Sequence, residues 1–315
     1  MDIQGVYLDP ELAEEVRAKI RDYGIGERMP GSVDFGMAEH MEMHRSGPSS
    51  MADAFATEAI VRLYGRPALL IQGDTFVEPQ SEIWRNRLST ARQGLEAAIR
   101  AVGRIELRDH DLDWVGTGWL VRDEVIVTNR HVAELFINRH GDKLMFCRNH
   151  LGREVGARLD FREEFGGGTA LEYRLLEPIH IEDRSGPDMA FFRIEPDDAG
   201  RRGDPIILGG REEPETFVAT IGYPAWDGHR NEPEQMRRVF NDIYNVKRLQ
   251  PGQLRFQREF WVTHDCSTLG GNSGSAVIDL ESGKASALHF GGRYREANYA
   301  VLGSVVSERL SNLGV

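Results

Sequence analysis

Ser273 lies in a glycine-rich turn, Gly270-Gly-Asn-Ser-Gly-Ser275, directly before the apolar run Ala276-Val-Ile278. A serine on a tight turn is accessible, and glycines let backbone N–H groups point at one spot. An accessible hydroxyl beside such amides is what acyl-transfer chemistry requires. Because a Gly-x-Ser-Gly turn is also a common loop, its chemistry depends on a base and a carboxylate elsewhere in the chain.

Among the ten histidines, His131 is the best placed to act as that base. It follows a predicted hairpin of two apolar strands, Trp114–Val121 and Glu124–Thr128, and begins a short helical turn. Rigid elements on both sides would hold its imidazole in place. The alternative is a histidine at a strand end that only hydrogen-bonds a loop.

Asp188 is the preferred partner for the histidine, because it opens the apolar strand Met189–Ile194. A carboxylate in this position emerges at the end of a strand while the following residues are fixed in the sheet. Asp183, Asp197 and Asp198 lie nearby in loop sequence without a strand attached, and they rank below Asp188.

From residue 102 onward, short apolar runs follow one another, separated by Gly, Asp and Asn turns. Strands at this spacing, with few helices between them, are typical of an all-β sandwich or barrel pair. The runs after the hairpin are Lys143–Cys147, Val155–Phe161, Leu171–Ile181, Met189–Ile194, Phe217–Tyr223, Phe260–Thr263, Ser275–Leu280, Ala285–Phe290 and Tyr299–Val306. The charged stretch Arg201–Gly210 divides the runs into two groups of similar size. The sequence therefore predicts a mainly β fold of two six-stranded antiparallel barrels, over about 102–200 and about 211–306, with a closing helix over about 305–313.

Residues 1–95 read differently and predict a mostly helical extension to a domain spanning residues 96–315. Asp9-Pro10-Glu11 supplies a helix cap and a proline at the first helical position. A clear helix over 82–101 carries an apolar stripe that we expect to pack against the following domain. The stripe consists of Ile83, Trp84, Leu88, Leu95 and Ile99. The other expected elements are a loop over 29–51, a helix over 56–64 and a short strand over 67–72.

The composition and net charge do not favour a nucleic-acid-binding or membrane protein. The formal net charge of −12 and the pI near 5.4 do not favour a nucleic-acid or anionic-membrane partner. No run approaches the roughly 18 apolar residues of a membrane span, and the first residues lack the features of a signal peptide. Cys147 and Cys266 are too few for a disulfide framework, so we expect a reducing cytoplasm, with a single bridge left open.

One histidine pair, in His40-Met-Glu-Met-His44, lies on one helical face. It is not a His-Glu-x-x-His zinc motif, because Glu42 stands at the wrong offset. A solvated turn is the preferred interpretation over zinc binding. The sequence therefore predicts no metal and no cofactor.

In the order His131, Asp188, Ser273, three passages together resemble the chymotrypsin-fold (trypsin-like) serine endopeptidases. The passages are Gly116-Thr-Gly-Trp-Leu-Val121 with Val127-Thr-Asn-Arg-His131, Asp188-Met-Ala-Phe-Phe192, and Gly271-Asn-Ser-Gly-Ser-Ala-Val277, within residues 102–315. The resemblance implies a protein or peptide substrate, with Ser273 as nucleophile, His131 as general base and acid, and Asp188 fixing the histidine tautomer. It also implies an oxyanion hole made of the backbone amides of Gly271 and Ser273.

The closest resemblance is to the bacterial glutamyl-endopeptidase branch of that family, carried by Thr268-Leu-Gly-Gly-Asn-Ser273 and Ala287-Leu-His-Phe-Gly-Gly292. It implies that Thr268 and His289 line a pocket for an acidic side chain, and that Gly291 and Gly292 pair with substrate backbone. We therefore expect cleavage after Glu, with Gln or Asp next. Extracellular members complete the pocket with a freed terminal amine, whereas this chain carries an extension, so strict Glu preference stays open. The alternative for His289 is a core histidine bonded to backbone.

Regulation by a trypsin-type new terminus is not expected, because Asn272 stands where those zymogens carry an aspartate. Two segments are candidate regulators: residues 1–95, and the basic stretch over 223–260, where interspersed carboxylates favour a solvated loop over nucleic-acid binding. The alternative functions are a protease subunit of a bacterial stress or defence assembly that needs a regulatory partner, and a binding pseudoprotease.

Overall fold

The computed structural model describes residues 65–315 apart from residues 142, 211–212, 227–232 and 294–296, together with Glu11, Glu14, Glu15 and Ala18 near the start. Those four residues are helical, as predicted for the segment after Pro10. The expected loop over 29–51, the helix over 56–64 and the His40–His44 pair lie outside the described residues.

The described chain consists mainly of β-strands. The strands are β1 Leu69–Gln72, β2 Thr75–Phe76, β3 Val102–Arg108, β4 Trp114–Arg122, β5 Val125–Thr128, β6 Ile137–His140, β7 Lys143–Phe146, β8 Gly156–Asp160, β9 Glu172–Ile181, β10 Ala190–Ile194, β11 Phe217–Gly222, β12 Arg248–Gln257, β13 Trp261–His264, β14 Ala276–Asp279, β15 Ala285–Arg293 and β16 Ala297–Leu302. The helices are α1 Glu82–Ala101, α2 Arg130–Ala133, α3 Pro233–Phe240 and α4 Gly303–Leu313. None of these helices is long and apolar enough to cross a membrane.

Six strands close the first barrel in the order β10-β5-β4-β3-β8-β9, all antiparallel. Strands β5 and β10 are rich in β-branched and aromatic residues, which favour a pleated sheet, and both strands are buried on both faces. Trp119, Leu159, Phe191 and Phe192 have no exposed surface, and Phe191 and Phe192, being consecutive in β10, are buried on opposite faces of the sheet.

The second barrel runs in the order β11-β14-β15-β16-β13-β12 and is closed by the pairing of β11 with β12. Strand β12 also pairs with β1 from the segment before the barrels, Leu69 lying opposite Leu249. The predicted mainly β fold of two six-stranded antiparallel barrels with a C-terminal helix is therefore confirmed.

Helix α1 begins at a serine cap, where Ser81 Oγ accepts a hydrogen bond from the Trp84 amide at 3.1 Å. Trp84, a residue of its apolar stripe, packs edge-on against Phe217 of the second barrel with ring centroids 5.8 Å apart. Glu15 accepts hydrogen bonds from Ser81 Oγ and the Glu82 amide, each at 2.6 Å. The division at residue 95 stays a prediction, and residues 65–95 pair with and pack on the second barrel.

The solvated loop predicted over 223–260 is wrong, because this stretch contains α3 and β12. Strand β12 carries Pro251 and Gly252 in its middle together with several polar residues, a composition that indicates a loop in sequence. Its pairing with β11 and β13 supplies the backbone hydrogen bonds that its composition does not suggest. Strand β3 was not predicted either, since it continues directly from α1 without a turn residue between them.

Candidate active site

His131 and Asp188 are brought together by two neighbouring strands of the first barrel. Strands β5 and β10 are antiparallel, with Ala190 opposite Thr128, so the residues just after β5 and just before β10 meet at one end. His131 lies in α2 and is half-exposed, whereas only 15% of the Asp188 side chain is accessible. Asn129 Nδ2 donates to the Asp188 carbonyl at 2.9 Å and fixes this corner.

A hydrogen-bonded chain joins Asp188, His131 and Ser273. His131 Nδ1 lies 2.6 Å from Asp188 Oδ2, and His131 Nε2 lies 2.9 Å from Ser273 Oγ. The His131 amide donates to the other carboxylate oxygen at 3.1 Å. With the Nδ1 proton directed at the carboxylate, Nε2 is free to accept the proton of the Ser273 hydroxyl.

The Asp188 carboxylate is kept ionised. Burial by itself raises the pKa of Asp188, but the hydrogen bonds and charge of His131, together with Arg130, outweigh burial and hold that pKa below its usual range. The Arg130 guanidinium lies 3.9 Å from the carboxylate and also donates to the Asp183 carbonyl at 2.9 Å. Asp188 therefore presents a fixed negative charge to the imidazole.

The turn around Ser273 depends on two glycines with positive φ, Gly271 at 83° and Gly274 at 88°. A Cβ at Gly274 would lie 2.0 Å from the Thr117 carbonyl oxygen, so the first barrel closes directly over this turn. Within the described part of the chain, the amides of Gly271 and Ser273 donate no hydrogen bond. Two unused amides beside a serine hydroxyl are suited to binding a developing oxyanion.

His289 lies on β15 next to the serine turn, and its backbone holds that turn. The His289 carbonyl accepts from the Gly274 amide at 2.8 Å, and its amide donates to the Ser275 carbonyl at 2.9 Å. The imidazole is only 2% exposed, and its Nδ1 lies 3.0 Å from Nε2 of the buried His264.

Thr268 lies five residues before Ser273, and its hydroxyl donates to Asn298 Oδ1 at 2.6 Å. Asn298 Nδ2 in turn donates to the Cys266 carbonyl at 2.6 Å. Gly292 leaves room for Asn298, because a Cβ there would lie 2.4 Å from the Asn298 Oδ1 atom. A Cβ on Gly291 would meet no atom within 4 Å. Gly291 pairs with Tyr299 of the neighbouring strand β16.

Comparison with known proteins identifies the family. The trypsin-like peptidase domain matches residues 116–288, more than half of the chain. The chain belongs to the trypsin-like peptidase family. A probable serine protease of Lysobacter enzymogenes is 31% identical over 291 residues, covering 82% of this chain and 75% of that protein. This trypsin-like peptidase is accordingly a serine endopeptidase, a hydrolase acting on proteins or peptides.

Two solved structures are similar to this trypsin-like peptidase at low sequence identity. The serine endoprotease from Yersinia pestis has a TM-score of 0.48 and 15% identity, covering 70% of this chain and 65% of that chain. Deg5 has a TM-score of 0.49 and 18% identity, covering 72% of this chain and 93% of that chain.

Two residues of the trypsin-like peptidase site were missed by sequence reasoning, His264 and Asn298. His264 ends β13 and lies one residue beyond the predicted strand Phe260–Thr263; the signal in the sequence is a histidine a few residues before Thr268. Asn298 carries no motif and becomes recognisable only through its bonds to Thr268 and Cys266.

The histidine pair is uncharged near neutral pH. Burial lowers the pKa of His264 to about 4, and burial together with the neighbouring His264 and His131 lowers the pKa of His289 well below its usual value. If His264 Nε2–H donates to His289 Nδ1, the ring proton of His289 lies on its own Nε2. The Nδ1 atom of His264 then has no proton and can only accept a hydrogen bond. That atom is buried without a hydrogen-bond partner among the described residues, which costs less for an acceptor than for a donor.

Asn272 is fully buried beside the nucleophile candidate of this trypsin-like peptidase. Its Oδ1 accepts from the Ser275 hydroxyl at 3.2 Å, a local contact within the turn. A neutral amide cannot form the ion pair that an aspartate makes with a new terminal ammonium.

Proposed function

We propose that this peptidase cleaves peptide bonds through an acyl-enzyme formed on Ser273. The observation that carries the proposal is the chain of contacts from Asp188 through His131 to Ser273, at 2.6 and 2.9 Å. A histidine oriented by a carboxylate and in hydrogen-bond reach of a serine hydroxyl is the arrangement that activates serine as a nucleophile.

The residues act in sequence. Ser273 Oγ attacks the carbonyl carbon of the scissile bond while His131 Nε2 takes the hydroxyl proton. Asp188 stabilises the resulting imidazolium, and the amides of Gly271 and Ser273 bind the oxyanion. The C–N bond then breaks as His131 returns the proton to the leaving amine, and water hydrolyses the ester by the same steps.

The test compares the parent protein with Ser273→Ala on a peptide library and with a fluorophosphonate that labels active serines. We expect labelling and cleavage by the parent and neither by Ser273→Ala. A parent protein that is folded but unlabelled would support the alternative of a binding pseudoprotease.

We further propose that the peptidase prefers Glu before the cleaved bond, with Gln or Asp next. His289 Nε2–H, set by the bond between Nδ1 and His264, is the donor that would meet a carboxylate or amide oxygen. Thr268 Oγ1 would exchange its bond to Asn298 for one to the substrate. Because both imidazoles are neutral, the pocket offers hydrogen bonds more than charge, which supports acceptance of Gln beside Glu.

Peptides that vary only at the residue before the cleaved bond test this preference. We expect His289→Leu to lose the preference for Glu over Ala by about tenfold or more, since an unmatched buried carboxylate is strongly disfavoured. A matched control is His180→Leu, which changes a partly exposed histidine of the first barrel. An unchanged preference in His289→Leu would remove the pocket assignment.

We also propose that the peptidase is cytoplasmic and that its activity is regulated, with a regulatory protein as the expected partner. The two cysteines, Cys147 and Cys266, are both unpaired thiols, which is compatible with a reducing compartment. Full-length protein should be compared with a chain beginning at Gly65, which keeps β1 and α1, and each should be assayed with and without cell lysate. Higher activity of the shorter chain supports restraint by residues 1–64, and activation by lysate supports a partner.

A further inference from the structure

Arg66, which lies just before β1, is a fully buried arginine bound to the second barrel. Its Nε lies 2.6 Å from Asp265 Oδ1, and one terminal nitrogen lies 2.8 Å from Oδ2 of the same carboxylate. Such a two-point contact between guanidinium and carboxylate fixes orientation as well as distance. Asp265 is the residue directly after His264, so this ion pair is formed at the end of β13.

Arg66 holds the segment after β13 at a second point. Its carbonyl oxygen accepts a hydrogen bond from Ser267 Oγ at 2.7 Å. The Ser267 carbonyl is fixed by Gln250 Nε2 at 2.6 Å. Strand β12 approaches closely here, since a Cβ on Gly252 would lie 2.7 Å from Asp265 Oδ1. One residue outside both barrels therefore binds the segment from Asp265 to Ser267 by its side chain and by its backbone.

The segment that Arg66 holds is flanked by two residues that contact the proposed specificity pocket. His264 precedes the segment and contacts His289, while Thr268 follows it and contacts Asn298. The Cys266 carbonyl inside the segment accepts the Asn298 amide at 2.6 Å. A shift of this segment would move Thr268 and also His264, the partner of His289, without touching Ser273, His131 or Asp188.

We propose that Arg66 is a positioning residue for the specificity pocket, fixing the segment 265–267 and through it His264 and Thr268. The inference rests on the proposed preference for an acidic or amide side chain. A buried carboxylate that loses one of its charged partners is costly, and the segment would relax toward solvent to rehydrate it. Asp265 keeps Arg255 as a second partner, with Arg255 Nε 2.7 Å from Oδ2, so removal of Arg66 leaves the carboxylate partly neutralised and the barrel intact.

The experiment uses Arg66→Met and Arg66→Lys with Arg202→Met as the matched control. Arg202 is a part-buried arginine that donates to the Glu195 carbonyl at 2.8 Å and stacks on Tyr173, contacts that lie in the first barrel and the loop after it. Each variant is assayed on two peptides that differ only in Glu or Ala before the cleaved bond. Fluorophosphonate labelling and deuterium exchange of the amides of residues 264–269 are measured in parallel.

We expect Arg66→Met to raise KM for the Glu peptide about tenfold while kcat stays within about threefold of the parent. This kinetic pattern results when binding energy is lost equally from the bound substrate and from the transition state. The Ala peptide and the labelling rate should change little, exchange over 264–269 should accelerate, and Arg66→Lys should lie between. Arg202→Met should lower Tm and leave the Glu-to-Ala ratio unchanged.

An unchanged Glu-to-Ala ratio together with unchanged exchange in Arg66→Met would overturn the proposal. Equal losses in Arg66→Met and Arg202→Met would overturn it as well, because they would reflect stability alone. A parent protein that labels but does not prefer Glu contradicts the proposed preference and not the role of Arg66. In that case exchange over 264–269 decides: acceleration confined to the Arg66 variants supports positioning, and its absence contradicts it.

Discussion

The backbone amide of Thr117, in the first barrel, donates to the carbonyl of Ser273, in the second barrel, at 2.9 Å. The Thr117 hydroxyl donates to the Gly271 carbonyl at 3.1 Å and accepts from the Tyr223 amide at 3.3 Å. One residue of β4 thus binds the carbonyls of the two residues whose amides form the proposed oxyanion hole. Thr117 thus fixes the peptide units that follow Gly271 and Ser273. The units that carry the two oxyanion-hole amides are fixed through the Gly270 carbonyl, which accepts from the Ala225 amide at 2.6 Å, and the Asn272 carbonyl, which accepts from the Ser275 amide at 2.9 Å.

Thr117→Val is expected to lower kcat about tenfold or more with a smaller change in KM. Valine keeps the shape of threonine but removes the hydroxyl, so the Gly271 carbonyl and the Tyr223 amide lose a buried partner. Steady-state kinetics and the rate of fluorophosphonate labelling measure the effect. Thr90→Val, at an exposed hydroxyl of α1, is the control, and equal kinetics in both variants would contradict this role for Thr117.

Gly274→Ala is expected to abolish activity and to lower Tm. The residue has a φ of 88°, and a Cβ would lie 2.0 Å from the Thr117 carbonyl oxygen, so both backbone strain and a clash oppose the substitution. Gly210→Ala is the matched control, because a Cβ there meets no atom within 4 Å. Thermal unfolding and labelling of the two variants should differ clearly; a stable, active Gly274→Ala would show that the barrels can separate at this point.

Asp188→Asn is expected to reduce kcat by about four orders of magnitude, since an amide leaves the imidazole in the wrong tautomer. The folded pKa of Asp188 is lowered, so its ionisation stabilises the fold above the unfolded pKa of about 4. This stability is lost as pH falls through the lower folded pKa. Urea unfolding at several pH values should therefore show the free energies of unfolding of parent and variant converging at acid pH. A difference that stays constant with pH would contradict a lowered pKa for Asp188.

The buried pair His264 and His289 makes the second barrel sensitive to acid. The pKa of His264 is about 4 in the folded protein and about 6.5 when unfolded. Between these values the unfolded chain binds a proton that the folded chain excludes, so the free energy of unfolding falls as pH drops through this window. The part due to His264 is about 3 kcal/mol at most.

His264→Gln should flatten the dependence of unfolding free energy on pH between about 6.5 and 4, because glutamine does not titrate. His110→Gln provides the control, as His110 lies in an exposed turn where its Nδ1 accepts the Leu112 amide at 3.0 Å. Parallel pH profiles for parent and His264→Gln would argue against a neutral buried His264.

Lys247→Met is expected to destabilise the protein by about 3 kcal/mol. The buried ammonium of Lys247 donates to the Ile99 carbonyl at 3.0 Å and the Phe161 carbonyl at 2.7 Å, joining α1 to the first barrel. Burial lowers its pKa to about 8, so it remains charged at neutral pH. Urea unfolding with Lys284→Met, an exposed lysine, as control measures the loss; a difference under about 0.5 kcal/mol would show that the ammonium is dispensable.

The sequence alone determined two things: those barrel strands that have a strong local pattern, and the residue types of the candidate site. Strands such as β5 and β10 are recognisable because β-branched and aromatic runs end at turn residues. The glycines around Ser273 were recognisable too, since only glycine fits φ values near +85° beside a buried neighbour. His131 and Asp188 stood out because each adjoins such a strand.

Only the tertiary structure decided what depends on contacts between residues far apart in the chain. Strand β12 and the buried Lys247 and Arg248 look like charged loop sequence, and their burial follows from partners that local composition does not encode. His264 and Asn298 lie beside His289 and Thr268 because β13, β15 and β16 align in one sheet. Arg66 reaches a segment about 200 positions away because β1 pairs with β12, which in turn pairs with β13.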